Sequence, residues 1–464
     1  MAQQEISPLM SYFDEIAETD GDNECRAWLE ELFDNKAKIV GCAAQLLEGR
    51  GPGSYVGFLK GSFNFSFRIR FREGFPDALV RFPKPGHTAT AWRDEKVENE
   101  VRTIEYLRQH TTIPLPTVHE WCTAARPTAK TAARDLLQFG PFIIMDYVQG
   151  TLLSTILKQP DQEDVVLNPD IDKTILNTIY RQIADYMLQF SQLQFARIGA
   201  ISKDDHADWV IRRPLTYNMN ELATVAFYPG DRFPTVPIDR ASDYFQLIAN
   251  EHLEHLRTQR NLVDNEETAR KRFIARHQFA KLIPEYCINE SGPFIPFCDD
   301  LRPSNMLVNP ETLQITAVLD FEFTNSMPAQ FAYDPPWWLL LSGPETWLDR
   351  CALQEFLALY EPRMEQFLEA LEQVEAESSV GKQPRPPPLS ARMRESWRTR
   401  RFWFDYAARK SFEVDSIYWA TLHTDSAPVL DDQAHEELEL FIQNKMEQLK
   451  AYKEERRIWR LESS

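Results

Sequence analysis

A chain of 464 residues with 43% apolar side chains can bury a large core, which excludes an intrinsically disordered protein and allows two or three domains. Its formal net charge of −19 argues against binding to nucleic acids or anionic membranes, because both are recognised by Lys and Arg side chains that neutralise phosphates. Six scattered cysteines without a C-x-x-C pair argue against a structural zinc site and a disulfide framework.

The chain shows no sign of export or membrane insertion. Residues 1–20 are acidic and lack the basic and apolar regions of a secretory signal. No apolar run approaches the roughly 18 residues that a membrane helix needs. We therefore expect a cytoplasmic protein without a membrane partner.

The N-terminal part of the chain predicts helix followed by strands. Residues 1–50 form a predicted helical extension, because apolar side chains recur on one helical face. Phe63–Phe71 alternates apolar and polar side chains, as a half-buried strand does, and Ala78–Phe82 is a second short strand after a turn. Together they predict an antiparallel hairpin.

The next elements complete a small lobe and begin a helical one. Glu95–His110 predicts a helix, and Phe142–Val148 is a short apolar run typical of a buried strand. Amphipathic helical patterns dominate most of the remaining chain. The predicted domains are a helical extension at 1–50, a nucleotide-binding N-lobe at 51–150, a C-lobe with the catalytic and metal motifs at 151–345, and a helical C-terminal extension at 346–464 that packs on the C-lobe.

The stretch around residue 300 holds the most informative set of polar residues. Asp300 and Asn305 lie in a loop before the predicted strand Met306–Val308, and Ile315–Leu319 returns beside that strand. If the two strands pair, Asn305 and Asp320 lie side by side at one end. Asp300 then lies over them from the loop.

This layout suits phosphoryl transfer. One carboxylate orients and deprotonates an acceptor hydroxyl, while an amide oxygen and a second carboxylate hold Mg²⁺ on the phosphates of ATP. Asp300 is the candidate catalytic base, and Asn305 and Asp320 are the candidate metal ligands. Asp and Asn are also common in turns, which is the alternative for each residue alone.

The same stretch carries a resemblance to a known family. The sequence C-D-D-L-R-P-S-N-M at 298–306 resembles the H-G-D-L-x-x-x-N-[ILV] motif of the aminoglycoside phosphotransferase and choline-kinase-like superfamily. It is most similar to the form of this motif in the fungal branch. L-D-F-E at 319–322 resembles the second motif of that superfamily. The resemblance implies a protein-kinase-like, two-lobed α+β fold, with a small antiparallel-sheet N-lobe and a large, mainly helical C-lobe. It assigns the same roles to Asp300, Asn305 and Asp320.

Weaker motifs upstream continue the resemblance. Gly61 and Ser62 resemble a loop that covers the nucleotide phosphates, although a glycine there is otherwise only a turn residue. Arg81 takes the place of the lysine that reaches the α- and β-phosphates. Glu100 resembles the helix glutamate that pairs with that cation, with Glu98 as its rival and a solvated helix face as the alternative for both.

The segment Ile144–Gly150 resembles the family hinge. There, the backbone near Asp146 and Tyr147 would hydrogen-bond the adenine of ATP. Asp334, in a D-P element after the second motif, is expected to anchor a loop rather than to react. The resemblance spans roughly residues 55–340.

The motif departs from the family at Cys298 and Asp299, which replace a histidine and a glycine. The histidine is usually structural in the family, and a thiol makes weaker hydrogen bonds, so the loop needs support from elsewhere. We expect Cys298 to be a small buried residue rather than a nucleophile. For Asp299 the sequence leaves two roles open: binding a metal ion, or facing solvent.

The sequence thus predicts an ATP- and Mg²⁺-dependent enzyme that phosphorylates a hydroxyl of a small molecule. The alternative is a pseudokinase that keeps the fold as a binding or scaffold module. A protein kinase is disfavoured because no activation loop separates Asp320 from Asp334. The acceptor and the oligomeric state stay open, and the acidic residues at 204, 205 and 208 are read as a solvated turn rather than a site for an amine.

Overall fold

The computed structural model describes residues 13–126, 128–379, 387–424 and 430–462. Within these ranges, no helix is both long and apolar enough to cross a membrane. All six cysteines are free thiols.

The small lobe is built on one five-stranded antiparallel sheet with helices on its faces. Its elements, in chain order, are α1 (Glu15–Asp34), α2 (Lys36–Leu46), β1 (Ser54–Lys60), β2 (Asn64–Arg70), β3 (Ala78–Pro83), α3 (Arg93–His110), β4 (Val118–Cys122), α4 (Thr131–Leu137) and β5 (Phe142–Asp146). The strand order in the sheet is β1-β2-β3-β5-β4.

The predicted hairpin is present as β2 and β3, with Phe65 opposite Phe82. Trp28 of α1 packs edge-to-face on both rings, at centroid distances of 6.4 and 6.3 Å, and its indole N–H donates to the carbonyl of Phe139 at 2.7 Å. The first two helices therefore share the core of the small lobe. The predicted N-terminal extension is helical over the described residues but is not a separate appendage.

The large lobe is mainly helical and carries two small sheets. Its elements continue as β6 (Thr151–Leu152), α5 (Leu153–Leu157), α6 (Lys173–Ser191), β7 (Gly199–Lys203), β8 (Trp209–Ile211), α7 (Tyr217–Val225), α8 (Ala241–Thr258), α9 (Glu266–Tyr286), β9 (Ile295–Phe297), β10 (Met306–Val308), β11 (Ile315–Val318), β12 (Asn325–Met327), α10 (Ala329–Ala332), α11 (Pro344–Leu348), α12 (Leu353–Ser379), α13 (Leu389–Arg398), α14 (Arg401–Ala408), α15 (Val414–Ile417) and α16 (Asp432–Glu462). The sheets have the orders β11-β10-β6 and β8-β7-β12-β9.

The C-terminal region contributes to the core of the large lobe. Phe356, Tyr360 and Phe402 are fully buried in the same apolar cluster as Phe321 and Met306, next to the candidate catalytic residues. Helix α16 packs on α8 and α9 through a smaller cluster. Residues after 345 therefore contribute side chains to the core of the large lobe.

Helix α1 connects the two lobes at its N-terminal end. The N–H of Asp14 donates to the carbonyl of Val225 at 2.8 Å, and the N–H of Glu15 donates to the hydroxyl of Tyr452 at 3.0 Å. Phe13 packs edge-to-face on Phe412 at 5.0 Å. The same helix is therefore fixed to the small lobe by Trp28 and to the large lobe by its first turn.

Candidate active site

Strand pairing brings the candidate metal ligands together. Strands β10 and β11 pair antiparallel, with Met306 opposite Val318. The pairing continues past the strands, where the N–H of Leu319 donates to the carbonyl of Asn305 at 2.8 Å. Asn305 and Asp320 therefore lie at the same end of the hairpin, as the sequence predicts.

Asp300 lies in the loop directly before this hairpin. Its carboxylate is 3.2 Å from Nε of Arg302, and its backbone carbonyl accepts a hydrogen bond from Nδ2 of Asn305 at 3.0 Å. Burial raises the pKa of Asp300 to about 6, since the Arg302 charge only partly offsets the desolvation and the Asp320 charge adds to it. A carboxylate with this pKa is a stronger base than an exposed one and is still ionised at neutral pH.

The oxygen atoms at this point fit a magnesium ion. The side-chain nitrogen of Asn305 is used in the bond to the loop, so its Oδ1 is the atom left for a ligand, and the Asp320 carboxylate is nearby. In the described part of the chain, no three His, Cys, Asp or Glu residues form a ready metal cluster. Mg²⁺ is usually held by one or two carboxylates together with substrate phosphates, and one amide oxygen with one carboxylate is a donor set of that kind.

Arg81 of β3 connects the small lobe to the metal motif. Its guanidinium lies 3.1 Å from Glu100, 2.6 Å from Asp320 and 3.0 Å from Glu322. These three carboxylates raise the pKa of Arg81 although burial opposes them. Glu98, the rival partner, instead pairs with Arg126 at 3.1 Å.

A second buried cation, which the sequence analysis missed, lies beside Arg81. Lys96 is 1% exposed, and its ammonium is 2.6 Å from Glu322 and 2.8 Å from Oδ1 of Asn64. Asn64 also donates its side-chain N–H to Glu322. Lys96 lies four residues before Glu100 on α3, so that spacing on one helical face was the only sequence signal.

The balance between burial and neighbouring charge shifts the pKa values of Glu100 and Glu322 in opposite directions. Burial raises the pKa of Glu100 to about 7, and the Arg81 charge only partly counteracts it. Burial alone would also raise the pKa of Glu322, but Lys96 and Arg81 outweigh it and hold the pKa below its usual range. Glu322 is therefore the fixed anion on which both cations are placed.

Gly61 and Ser62 lie in the tip of the β1–β2 hairpin. The N–H of Gly61 donates to the carbonyl of Asn64 at 2.9 Å, which closes the tip. The next residue, Phe63, packs edge-to-face on Tyr217 and Phe323 of the large lobe at 5.4 and 5.5 Å. The hairpin tip therefore touches the large lobe, the position expected of a loop that covers a nucleotide.

The predicted hinge has its first backbone donors already in use. The N–H of Asp146 donates to Thr117 at 2.9 Å, and the N–H of Tyr147 donates to Asp77 at 2.8 Å. The side chains are also engaged, since Asp146 pairs with His119 at 2.6 Å. The N–H of Val148 has no partner among the described residues, so an adenine at this hinge would meet that donor rather than the two N–H groups that precede it.

The loop with the unusual cysteine is held by other contacts. The Cys298 thiol donates to the backbone carbonyl of Asp320 at 3.7 Å, and burial raises its pKa, as expected for an inert thiol. Asp299 forms an ion pair with Arg409 and its carbonyl accepts from Nε1 of Trp337 at 3.2 Å. Asp299 is thus not a free surface carboxylate. It attaches the loop to the C-terminal region.

A cavity of about 300 Å³ opens beside Asp300. The residues that line it come from the loop that carries Asp300, from α7, from α11 and the segment before it, and from the segment around the end of α14. They include Tyr217, Asp300, Arg302, Trp337, Glu345 and Lys410. Arg409 and Lys410 were missed by sequence analysis, because isolated basic residues in a helical region give no motif. Asp334 is buried and accepts from Ser396, which fits the expected loop anchor.

The chain matches a known protein family over most of its length. The model of the phosphotransferase enzyme family (APH) matches residues 58–371, well over half of the chain. This chain therefore belongs to the phosphotransferase enzyme family. The predicted resemblance and the predicted protein-kinase-like, two-lobed α+β fold are confirmed.

Individual relatives are distant. Clavilactone A biosynthesis cluster protein Y of Ampulloclitocybe clavipes is 24% identical over 259 residues, which are 53% of this chain and 54% of that protein. This chain thus spans about half the length of that curated relative.

Solved structures are similar at low identity. A provisionally assigned aminoglycoside phosphotransferase from Ralstonia eutropha has a TM-score of 0.46 at 15% identity, covering 89% of this chain and 98% of the other. An ethanolamine kinase from Plasmodium vivax has a TM-score of 0.42 at 12% identity, covering 88% and 84%.

Proposed function

We propose that this protein is an ATP- and Mg²⁺-dependent phosphotransferase that acts in the cytoplasm on a hydroxyl group of a small molecule. The observation that carries the proposal is the β10–β11 pairing, which sets Asn305 beside Asp320, with Asp300 at the rim of a cavity of about 300 Å³. Membership in the phosphotransferase enzyme family supports it.

In the proposed reaction, Asp300 accepts the proton of the acceptor hydroxyl. The acceptor oxygen forms a bond to the γ-phosphorus of ATP while the bond from that phosphorus to the ADP oxygen breaks. Mg²⁺, when bound, neutralises phosphate charge. Asn305 and Asp320 would hold the metal ion, Arg81 would meet the phosphates from the small lobe, and the hairpin tip with Gly61 and Ser62 would exclude water.

The test is phosphorylation of a metabolite library, with the product detected by mass and ADP release measured in parallel. Asp300→Asn should lower turnover by about a thousandfold and keep nucleotide binding, because only the proton acceptor is lost. Asp205→Asn, in an exposed turn, is the matched control. Equal turnover of wild type and Asp300→Asn would contradict the assignment of the base.

One contact favours the second candidate, a pseudokinase that binds without transferring phosphate. Arg81 already contacts Oδ1 of Asp320 at 2.6 Å, so a buried cation competes with a metal ion for that carboxylate. Thermal unfolding with and without millimolar ATP and Mg²⁺ separates the candidates, because a ligand of the folded state raises the midpoint by mass action. Absence of any magnesium-dependent shift would favour the scaffold function.

A further inference from the structure

The cavity beside Asp300 is lined by a basic side chain, that of Lys410, which belongs to none of the sequence motifs. Lys410 follows α14 by two residues and lines the cavity, with its ammonium 4.7 Å from the centre of the Tyr217 ring. It lies close enough to Asp300 to stabilise that carboxylate electrostatically. Lys410 therefore faces the space in which an acceptor must sit if Asp300 is the base.

No carboxylate holds Lys410 in an ion pair. Within the described residues, no acidic oxygen lies within 4.0 Å of its ammonium, although several acidic side chains surround it. Those side chains have other partners: Asp299 pairs with Arg409, Asp300 pairs with Arg302, and Glu345 accepts from the hydroxyl of Tyr406 at 2.5 Å. The ammonium is thus available to a ligand.

Lys410 also remains charged. Burial lowers the pKa of an ammonium, but the carboxylates of Asp299, Glu221 and Glu345 outweigh burial and hold the pKa of Lys410 above its usual value. The side chain of Lys410 is half-buried and no anion contacts its ammonium, so a ligand carboxylate in the cavity would form a charge-assisted hydrogen bond with it.

A second cation lies on the same wall. Arg302 is 3.2 Å from Asp300 through Nε and rests over the Trp337 ring at 5.8 Å. Its two terminal nitrogens have no hydrogen-bond partner in the described ranges. Two cations with unused donors therefore meet at one cavity in a chain whose overall charge is −19.

We propose that the acceptor is a hydroxy acid and that Lys410 binds its carboxylate while Asp300 accepts the proton of its hydroxyl. The proposal rests on the proposed phosphotransferase function and names the class of its substrate. A singly charged carboxylate fits better than a phosphate, because Asp300 and Glu345 already place negative charge at this cavity. The volume of about 300 Å³ suits a small molecule that carries both groups.

The test uses acceptors of one size and different charge. D-glucuronate, D-glucose, D-glucosamine and D-glucose 6-phosphate share one ring, and glycerate, glycerol and 3-aminopropane-1,2-diol form a smaller set. Binding to the full-length protein with Mg²⁺ and a non-hydrolysable ATP analogue is measured by calorimetry. Phosphorylation with ATP is measured by mass. Nucleotide binding by the same samples is recorded first, and its absence would contradict the proposed function itself.

The carboxylates should bind about tenfold more tightly than their neutral counterparts, a difference that one charge-assisted contact can supply. Lys410→Met should remove this preference and leave nucleotide binding intact, and Lys410→Glu should reverse it in favour of the amines. Lys450→Met, at an exposed position on α16, should behave as wild type. Preference for neutral, amino or phosphate acceptors, failure of the carboxylates to bind, or an unchanged preference in Lys410→Glu would overturn the proposal.

Discussion

The thiol of Cys298 donates a hydrogen bond to the backbone carbonyl of Asp320 across 3.7 Å. This contact joins the loop that carries the candidate base to the residue proposed to hold the metal ion. Asp320 has a positive φ of 62°, a conformation that is costly for a residue with a side chain, so its neighbours must hold it there. Cys298 is one of those neighbours, and its sulfur therefore matters for geometry rather than for thiol chemistry.

Cys298→Ala should lower the maximal rate on the order of tenfold, because a loosened loop misplaces Asp300 relative to the metal. Loss of the buried sulfur should also lower the free energy of unfolding by about 1 kcal/mol. Cys298→Ser, which keeps a donor, should retain more activity. Cys42→Ala removes a buried sulfur distant from the site and is the control. If both alanine variants keep the same rate, the contact has no role in positioning.

The Arg409–Asp299 pair should behave as one unit. Arg409 is nearly buried, with its guanidinium over the Phe297 ring at 4.7 Å, so Arg409→Met leaves Asp299 without its partner. We expect a loss of about 3 kcal/mol in denaturant unfolding and a fall in the maximal rate with little change in the KM for ATP. Adding Asp299→Asn should restore part of the stability.

The double-mutant cycle tests that coupling. If the two single losses simply add in the double variant, the residues act independently and Arg409 does not stabilise the loop through Asp299.

Lys96 should be far more important for stability than a surface lysine. Lys96→Met leaves the buried Glu322 with only Arg81 and Asn64, and we expect a loss of about 3 kcal/mol in the free energy of unfolding. Lys130→Met breaks an ion pair with Glu120 in which the lysine is largely exposed, and should cost at most about 1 kcal/mol. If both variants lose the same free energy of unfolding in denaturant titrations, burial does not make the Lys96 network more stabilising than an exposed ion pair.

Glu251 should make stability depend on pH. Burial raises its pKa to about 8, and neither carboxyl oxygen has a hydrogen-bond partner in the described chain. Between pH 4.5 and 8 the unfolded chain releases this proton while the folded protein keeps it, so the contribution of Glu251 to stability falls as pH rises and levels off above pH 8.

Glu251→Gln should remove that dependence. The unfolding free energy of the variant relative to wild type should rise by about 2–4 kcal/mol between pH 5 and pH 9. Glu254→Gln, on the same helix and partly exposed, is the control. A constant difference across this range would mean that Glu251 is solvated in the folded protein.

The sequence predicted the elements whose signal is local. The β10–β11 hairpin combines two short apolar strands with turn residues between them, and its motif residues lie within 23 positions from Asp300 to Glu322. Strand β1 was missed for a physical reason. Its side chains are mostly exposed at the edge of the sheet, and its sequence S-Y-V-G-F-L-K does not alternate apolar and polar residues.

The contacts that complete the site were beyond sequence reasoning. Arg409 meets Asp299 across 110 positions of the chain, and Lys96 meets Glu322 across 226. A basic residue in a helix is usually solvated, so only tertiary packing reveals that these two are buried. The same holds for Lys410, whose position in the cavity depends on where α14 ends.

The attachment of helix α1 to both lobes should affect how products leave the site. Because Trp28 is anchored in the small lobe and Asp14 and Glu15 in the large one, wide separation of the lobes would break both attachments. Release of ADP is then expected to depend on the hairpin tip, where Phe63 must leave Tyr217 and Phe323. Tyr217 also lines the acceptor cavity, so departure of the nucleotide and departure of the phosphorylated product should be kinetically linked through one aromatic ring.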